Sequence, residues 1–305
     1  MRRILLILSV SLLLVSCSRL KKISLFSKKN KTGDTEKTAN TKTHHTKKSS
    51  SFAAVYKSKD VEFKYQMAEQ FYAKKRYNNA QELFESLIPS LKGDARYEDM
   101  YYKIGYCYYY EKDYANAENI FKTFTEYFPT SSKSEECEYM RAYCFYKQSP
   151  KVELDQTATN KAMNLMQAFI NTHPTSPRSK DASDIMDKCR EKLELKEYKS
   201  AELYYNLGYY KASAIAFGTV SENFPDSKRA DEYKLEVIKA YFKYADASIE
   251  DKQPERYQKV LSECSDFLER FTDSKLINEV KQYKTQTTNI LNKLKNEQAK
   301  KTSQQ

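Results

Sequence analysis

Three small residues, Ala68, Gly105 and Ala142, stand 37 positions apart, and each belongs to the same run of side chains. Around Gly105 the chain reads Tyr101-x-x-Ile104-Gly105-x-x-Tyr108, then Ala117-x-x-x-Phe121-x-x-Phe124-x-x-x-x-Pro129. Steps of three and four put these residues on one stripe of a helix. Two antiparallel helices result, touching where Gly105 and Ala117 leave room. Phe121 and Phe124 fill the seam. Pro129 ends the second helix, because it has no N–H to continue the ladder.

The frame recurs along the chain. The first unit has Ala68 and Phe71, then Tyr77-x-x-Ala80-x-x-x-Phe84-x-x-Leu87. The third has Ala142 and Phe145, an insertion around 149–158, then Ala162-x-x-x-Met166-x-x-Phe169-x-x-x-x-Pro174. The fourth has Ala201 and Tyr204 before Gly208, then Tyr210-x-x-Ser213-x-x-x-Phe217-x-x-Val220-x-x-x-x-Pro225. A fifth has Ala240, then Val260-x-x-x-Cys264-x-x-Phe267. Segments end alike at Phe128-Pro129-Thr130-Ser131, His173-Pro174-Thr175-Ser176 and Phe224-Pro225-Asp226-Ser227, where Ser or Thr can cap the next helix. This is the tetratricopeptide pattern, whose usual period is about 34 residues. Ala162, Ser213 and Val260 are 51 and 47 apart, so extra helix lies between them, and 178–207 reads as one long first helix. One helix pair cannot bury its apolar face alone, so the fold class is all-α, a tetratricopeptide-repeat superhelix of about five helix pairs. The scarcity of turn formers agrees: there are 5 Gly and 7 Pro in 305 residues.

The repeats occupy 60–290. The first seventeen residues read as a signal peptide. Arg2 and Arg3 precede an apolar run too short to span a bilayer, which needs about 20 residues. Leu14-Val15-Ser16-Cys17 matches a bacterial lipobox, which makes Cys17 the lipidation site. A multiply acylated N-terminus holds a chain stably on a membrane. Residues 18–59 read as a basic disordered tether, and 291–305 as a lysine-rich flexible tail.

Charge is unevenly placed. The net +11 arises from the signal (+2), the tether (+10) and the tail (+3), which leaves −4 for 60–290. The folded part therefore offers no basic face to nucleic acid. With Cys17 lipidated, five cysteines remain, an odd number without a C-x-x-C pair, each within a helical pattern where Cys acts as a small buried apolar residue. No phosphate-binding, zinc-protease or nucleophile-elbow motif occurs. The expectation is a non-enzyme without cofactor or metal.

In this fold the residues three before, one after and four after the small residue face a bound segment. Three before stand Tyr65, Tyr102 and Tyr139; one after, Glu69, Tyr106 and Tyr143; four after, Tyr72, Tyr109 and Tyr146. Eight of these nine are Tyr, and acids Glu62, Asp99 and Glu136 recur one turn earlier. Tyr offers a broad apolar face at low rotamer cost and a hydroxyl at ease in water. The row reads as a peptide-binding groove for an extended segment with aromatic side chains; the other reading is packing between helices.

The lipobox, the basic tether and five irregular repeats resemble the BamD family, lipoproteins of the outer-membrane β-barrel assembly machinery. The resemblance covers about 58–285. It is carried by Tyr65 to Phe84, Gly105 to Pro129, the inserted Asp155-Gln156-Thr157, and Leu195 to Ser227. It implies a lipid anchor in the outer membrane and a domain on the periplasmic face. It also implies N-terminal repeats that recognise C-terminal segments of unfolded outer-membrane proteins, and C-terminal repeats that dock on BamA periplasmic domains. The long tether and lysine-rich tail depart from that pattern. The alternative expectation is a tetratricopeptide lipoprotein scaffolding cell-envelope or cell-division proteins.

Overall fold

The computed structural model describes residues 51–303, with side chains to residue 300. The signal peptide, Cys17 and the tether before residue 51 lie outside the described residues. The helices are α1 (Phe52–Lys57), α2 (Val61–Ala73), α3 (Tyr77–Leu91), α4 (Arg96–Tyr110), α5 (Tyr114–Tyr127), α6 (Ser134–Gln148), α7 (Thr157–Thr172), α8 (Ser179–Asn206), α9 (Tyr210–Asn223), α10 (Ala230–Asp246), α11 (Gln253–Arg270) and α12 (Ile277–Ser303). From α2 onward each helix packs chiefly on its neighbours in sequence. Five pairs, α2/α3 to α10/α11, stack in series as the repeat pattern requires, and α12 covers the last. No strand occurs among the described residues.

Two helices reach further than the sequence reading gives them. Helix α1 falls in the stretch read as tether: Val55 is fully buried, and the Phe52 ring meets Phe71 edge-on at 6.0 Å. At the other end α12 is helical through Ser303, past the expected start of a flexible tail at 291. Ile290, Leu291 and Leu294 extend its apolar stripe onto the cluster around Phe267, and this stripe outweighs the local lysines.

The seam residues behave as their size dictates. Ala68, Ala80, Ala117, Ala142, Ala162, Ala201 and Ala240 are fully buried, beside Phe84, Phe121 and Phe124. Gly105 is the tightest point, since a Cβ there would lie 2.7 Å from Phe121 Cε1. Gly105→Ala should therefore cost about 1–3 kcal/mol of stability by overpacking, to be read from urea unfolding of the full chain.

The corners repeat one motif. In the first unit the Arg76 N–H donates to the Phe71 carbonyl and the Lys75 N–H to that of Tyr72; Asp113 and Lys112, then Tyr209 and Gly208, do the same after α4 and α8. The motif puts Lys75, Lys112 and Gly208 at φ of 57°, 65° and 80°. Only Gly208 takes that conformation without a Cβ penalty.

The serine of each closing segment links repeats as well as capping. The oxygens of Ser131, Ser176, Ser227 and Ser274 accept the N–H of the residue two further on. Their hydroxyls donate to Glu98, Glu135, Glu194 and Asp231 of the preceding first helix.

The insertion in repeat three braces the long α8. Gln156 is buried and donates to the carbonyls of Lys151 and Leu154, at 2.8 and 2.9 Å. Lys192 and Lys196, one turn apart on α8, donate to the carbonyls of Pro150 and Glu153, and Lys199 pairs with the Glu153 carboxylate at 2.5 Å. The extra loop and the extra helix therefore account for each other.

All five described cysteines are free and buried. Burial pushes the Cys144 thiol up to about 12 and Cys264 to about 11, so they stay protonated.

Candidate functional site

Helices α2, α4 and α6 place the tyrosine positions on one side of each helix, because offsets of four and three return to the same face. Tyr65, Tyr72, Tyr102, Tyr106, Tyr109, Tyr143 and Tyr146 are half-buried, and Tyr139 is buried, 6 % exposed. The row three before the small residue leans on the second helix of its own repeat. Tyr65 meets Phe84 at 5.9 Å, Tyr102 meets Phe124 at 6.2 Å and Tyr139 meets Phe169 at 5.6 Å, all edge-on. These three tyrosines therefore also pack between helices.

Ring contacts join the rest. Tyr72 meets Tyr77, Tyr77 stacks on Tyr110 at 4.5 Å, and Tyr110 touches Tyr106 and Tyr109. Tyr109 crosses to Tyr143 of the next repeat at 6.2 Å, and Tyr143 meets both Tyr139 and Tyr146. Tyr102 joins through Tyr106 at 4.9 Å. A continuous aromatic chain thus runs across three repeats, from Tyr72 to Tyr146. Tyr65 stands apart from it, against Phe84 and Arg96.

Each first-row tyrosine carries a cation from the start of the next repeat, and that cation is paired with the recurrent acid. Arg96 lies 5.0 Å from the Tyr65 ring and pairs with Glu62 at 2.7 Å. Lys133 lies 4.8 Å from the Tyr102 ring and pairs with Asp99 at 2.7 Å. Arg178 lies 5.0 Å from the Tyr139 ring and pairs with Glu136 at 2.7 Å. Each rung is an acid, a tyrosine and a cation spanning two repeats. Lys103 adds a bridge between Asp99 and Glu69.

Glu136 is the most shared acceptor. It takes the hydroxyls of Tyr102 at 2.8 Å and Tyr106 at 2.7 Å besides Arg178. Burial first, then Glu136, pushes both phenols above their ordinary range. Burial holds Tyr65 and Tyr109 up at about 12. All four phenols stay protonated at neutral pH. Burial works against ionisation of Asp99, yet hydrogen bonds from Lys103 and Lys133 prevail and hold its carboxyl below the usual range. Glu136→Gln leaves three donors on a neutral acceptor and should cost about 1–3 kcal/mol, visible as a lowered midpoint in thermal unfolding.

The sequence reading omits the cations and the fourth rung. Tyr198 stands three before Ala201, as Tyr102 does before Gly105, and meets Phe217 at 5.5 Å. Arg229 lies 4.7 Å from its ring. The signal was present as spacing. The cation follows the tyrosine by 31 positions at Tyr65–Arg96, Tyr102–Lys133 and Tyr198–Arg229, and by 39 at Tyr139–Arg178, where the repeat holds the insertion.

Among the described residues no cluster of His, Cys, Asp and Glu could hold a metal. Helix pairs stacked in series, with aromatic side chains displayed along their first helices, define a tetratricopeptide-type scaffold. The chain belongs to the YfiO family of outer membrane lipoproteins, whose profile matches residues 57–246. This agrees with the BamD resemblance of its residues. The match ends with α10, at Asp246. No curated protein matches the chain. Among solved structures it is similar to a Podosopora anserina kinesin light chain with nearly identical TPR-like repeats, at 10% identity over 70% of this chain and 97% of that chain, with a TM-score of 0.30. It is also similar to the TPR2AB domain of yeast Sti1 in a complex with pHSP90, at 11% identity over 75% of this chain and 98% of that chain, with a TM-score of 0.34. The fold rests on the helices described above and not on these two.

Proposed function

We propose that the protein is a non-enzymatic assembly factor, anchored by lipid at Cys17 to the periplasmic face of the outer membrane. In this reading the first three repeats hold segments of unfolded outer-membrane proteins, and the C-terminal repeats dock on BamA periplasmic domains, supporting β-barrel insertion. The aromatic chain from Tyr72 to Tyr146 carries the reading. Phenol rings grip aromatic and aliphatic side chains without demanding one sequence, which suits a protein that handles many barrel chains. Membership of an outer membrane lipoprotein family supports the location.

Affinity purification of the lipidated chain from detergent-solubilised membranes tests the partner. Co-recovery of BamA is expected. Recovery of cell-wall or division proteins without BamA would instead establish an envelope scaffold of another kind.

A further inference from the structure

The fourth rung lacks its acid. At the position held by Glu62, Asp99 and Glu136 in the first three repeats, the fourth has Leu195. The other two members are in place. The Arg229 guanidinium lies 4.7 Å from the Tyr198 ring and 5.2 Å from the Tyr233 ring. Its Nε donates to Glu232, on the first turn of its own helix, at 2.7 Å, and both side chains of that pair are largely exposed, at 40 % and 50 %. A cavity of about 610 Å³ opens beside it, lined among others by Arg190, Leu195, Lys228, Arg229 and Tyr233.

We propose that this cavity takes a side-chain carboxylate of a partner protein, an Asp or Glu flanked by an apolar residue, which completes the rung from outside. The three intact rungs show which group fits: a carboxylate 2.7 Å from the cation that covers the tyrosine. Arg229 lies over two rings and is tied to Glu232, so little rotamer freedom is lost when its fork is engaged. Leu195 supplies apolar floor for the flanking side chain. Asp187, Glu191 and Asp226 also line the cavity, with Arg190 3.8 Å from Asp226, so the wall disfavours a polyacidic run and leaves Arg229 and Lys228 as the cations facing an incoming carboxylate. Glu194, the remaining acid of the wall, is engaged by Ser227 and Tyr233. The site lies on the fourth repeat, apart from the eight tyrosines of the first three, so it stands or falls separately from them.

The test uses the full chain in detergent and a fluorescent blocked peptide with the core Leu-Glu-Leu, alongside its Leu-Gln-Leu counterpart. Anisotropy should show the Glu peptide binding about tenfold tighter than the Gln peptide. Leu195→Glu, which closes the rung internally, should abolish that preference while the protein stays folded. Arg229→Gln should abolish it too. Equal binding of the two peptides by the unaltered protein overturns the proposal, as does a preference that survives Leu195→Glu. A third peptide, Leu-Leu with a free terminus, tests the source of the carboxylate. If it alone binds, the ligand is a chain end and the assignment to a side chain is wrong.

Discussion

Replacing Lys234 by Met should lower the unfolding free energy at neutral pH by about 3 kcal/mol. Lys234 occupies the acid's register in the fifth repeat, six before Ala240, and the sign of that position is reversed there. Lys234 and Glu263 are each 9 % exposed and hydrogen-bonded to one another, and Asp266 pairs with the same ammonium. Removing the lysine leaves Glu263 buried with only the half-exposed Lys259 as partner. An uncompensated buried charge costs far more than the pair contributes over an apolar isostere. The double variant Lys234→Met, Glu263→Leu should therefore recover most of the loss, and urea unfolding of the three proteins measures it. The pH dependence has a definite sign. Burial alone would raise the Glu263 carboxyl, but hydrogen bonds from Lys234 and Lys259 outweigh it and hold it below the ordinary range. Its contribution is therefore complete above the unfolded carboxyl value of about 4.3. It is lost as pH falls through the lower folded value. In Lys234→Met the acid-side loss should begin at higher pH.

Phe121→Ala should cost about 3–5 kcal/mol, the usual range for emptying a buried aromatic site. Phe121 is fully buried, touches the Tyr106 ring at 5.3 Å and leaves no space for a Cβ on Gly105. The informative variant is the coupled one. In a Phe121→Leu background the clash at Gly105 disappears, so Gly105→Ala should become nearly neutral. A double-mutant cycle then yields a coupling of about 1 kcal/mol or more. Additive costs would mean that the glycine serves the backbone and not the seam.

The repeat frame was legible because its signals are local. Small residues, phenylalanines and closing prolines recur at fixed spacing, and steric packing leaves them one arrangement. The long α8 was legible from the 51-residue gap between Ala162 and Ser213. The tyrosine row and its acids could be read as well, since both lie on one helix face three residues apart. Their cations could not be found that way. Arg96, Lys133 and Arg178 arrive from the next repeat, so their signal is a spacing of 31 or 39 residues that shows only once the repeats are aligned on one another, not within one helix face. Nor could exposure be read: Tyr139 has the same register as Tyr65 and Tyr102 but is buried. The ends were misjudged by composition. Lysine-rich flanks obscured the apolar contacts of Phe52 and Val55 at one end and of Leu291 and Leu294 at the other.

The geometry also separates the tyrosines by the work they do. Tyr102 and Tyr106 are tied to Glu136, so their removal perturbs the stack itself. Tyr109, Tyr143 and Tyr146 are joined by ring contacts and are the sharper probes of binding. The most direct measurement is the affinity of the full-length protein in detergent for a C-terminal peptide of an outer-membrane barrel protein ending in an aromatic residue. Replacing Tyr109, Tyr143 and Tyr146 together by Ala should weaken that binding tenfold or more, on the order of 1.4 kcal/mol, with helical content and unfolding midpoint checked in parallel. Unchanged affinity in a folded variant would contradict the account, leaving the aromatic chain as packing alone.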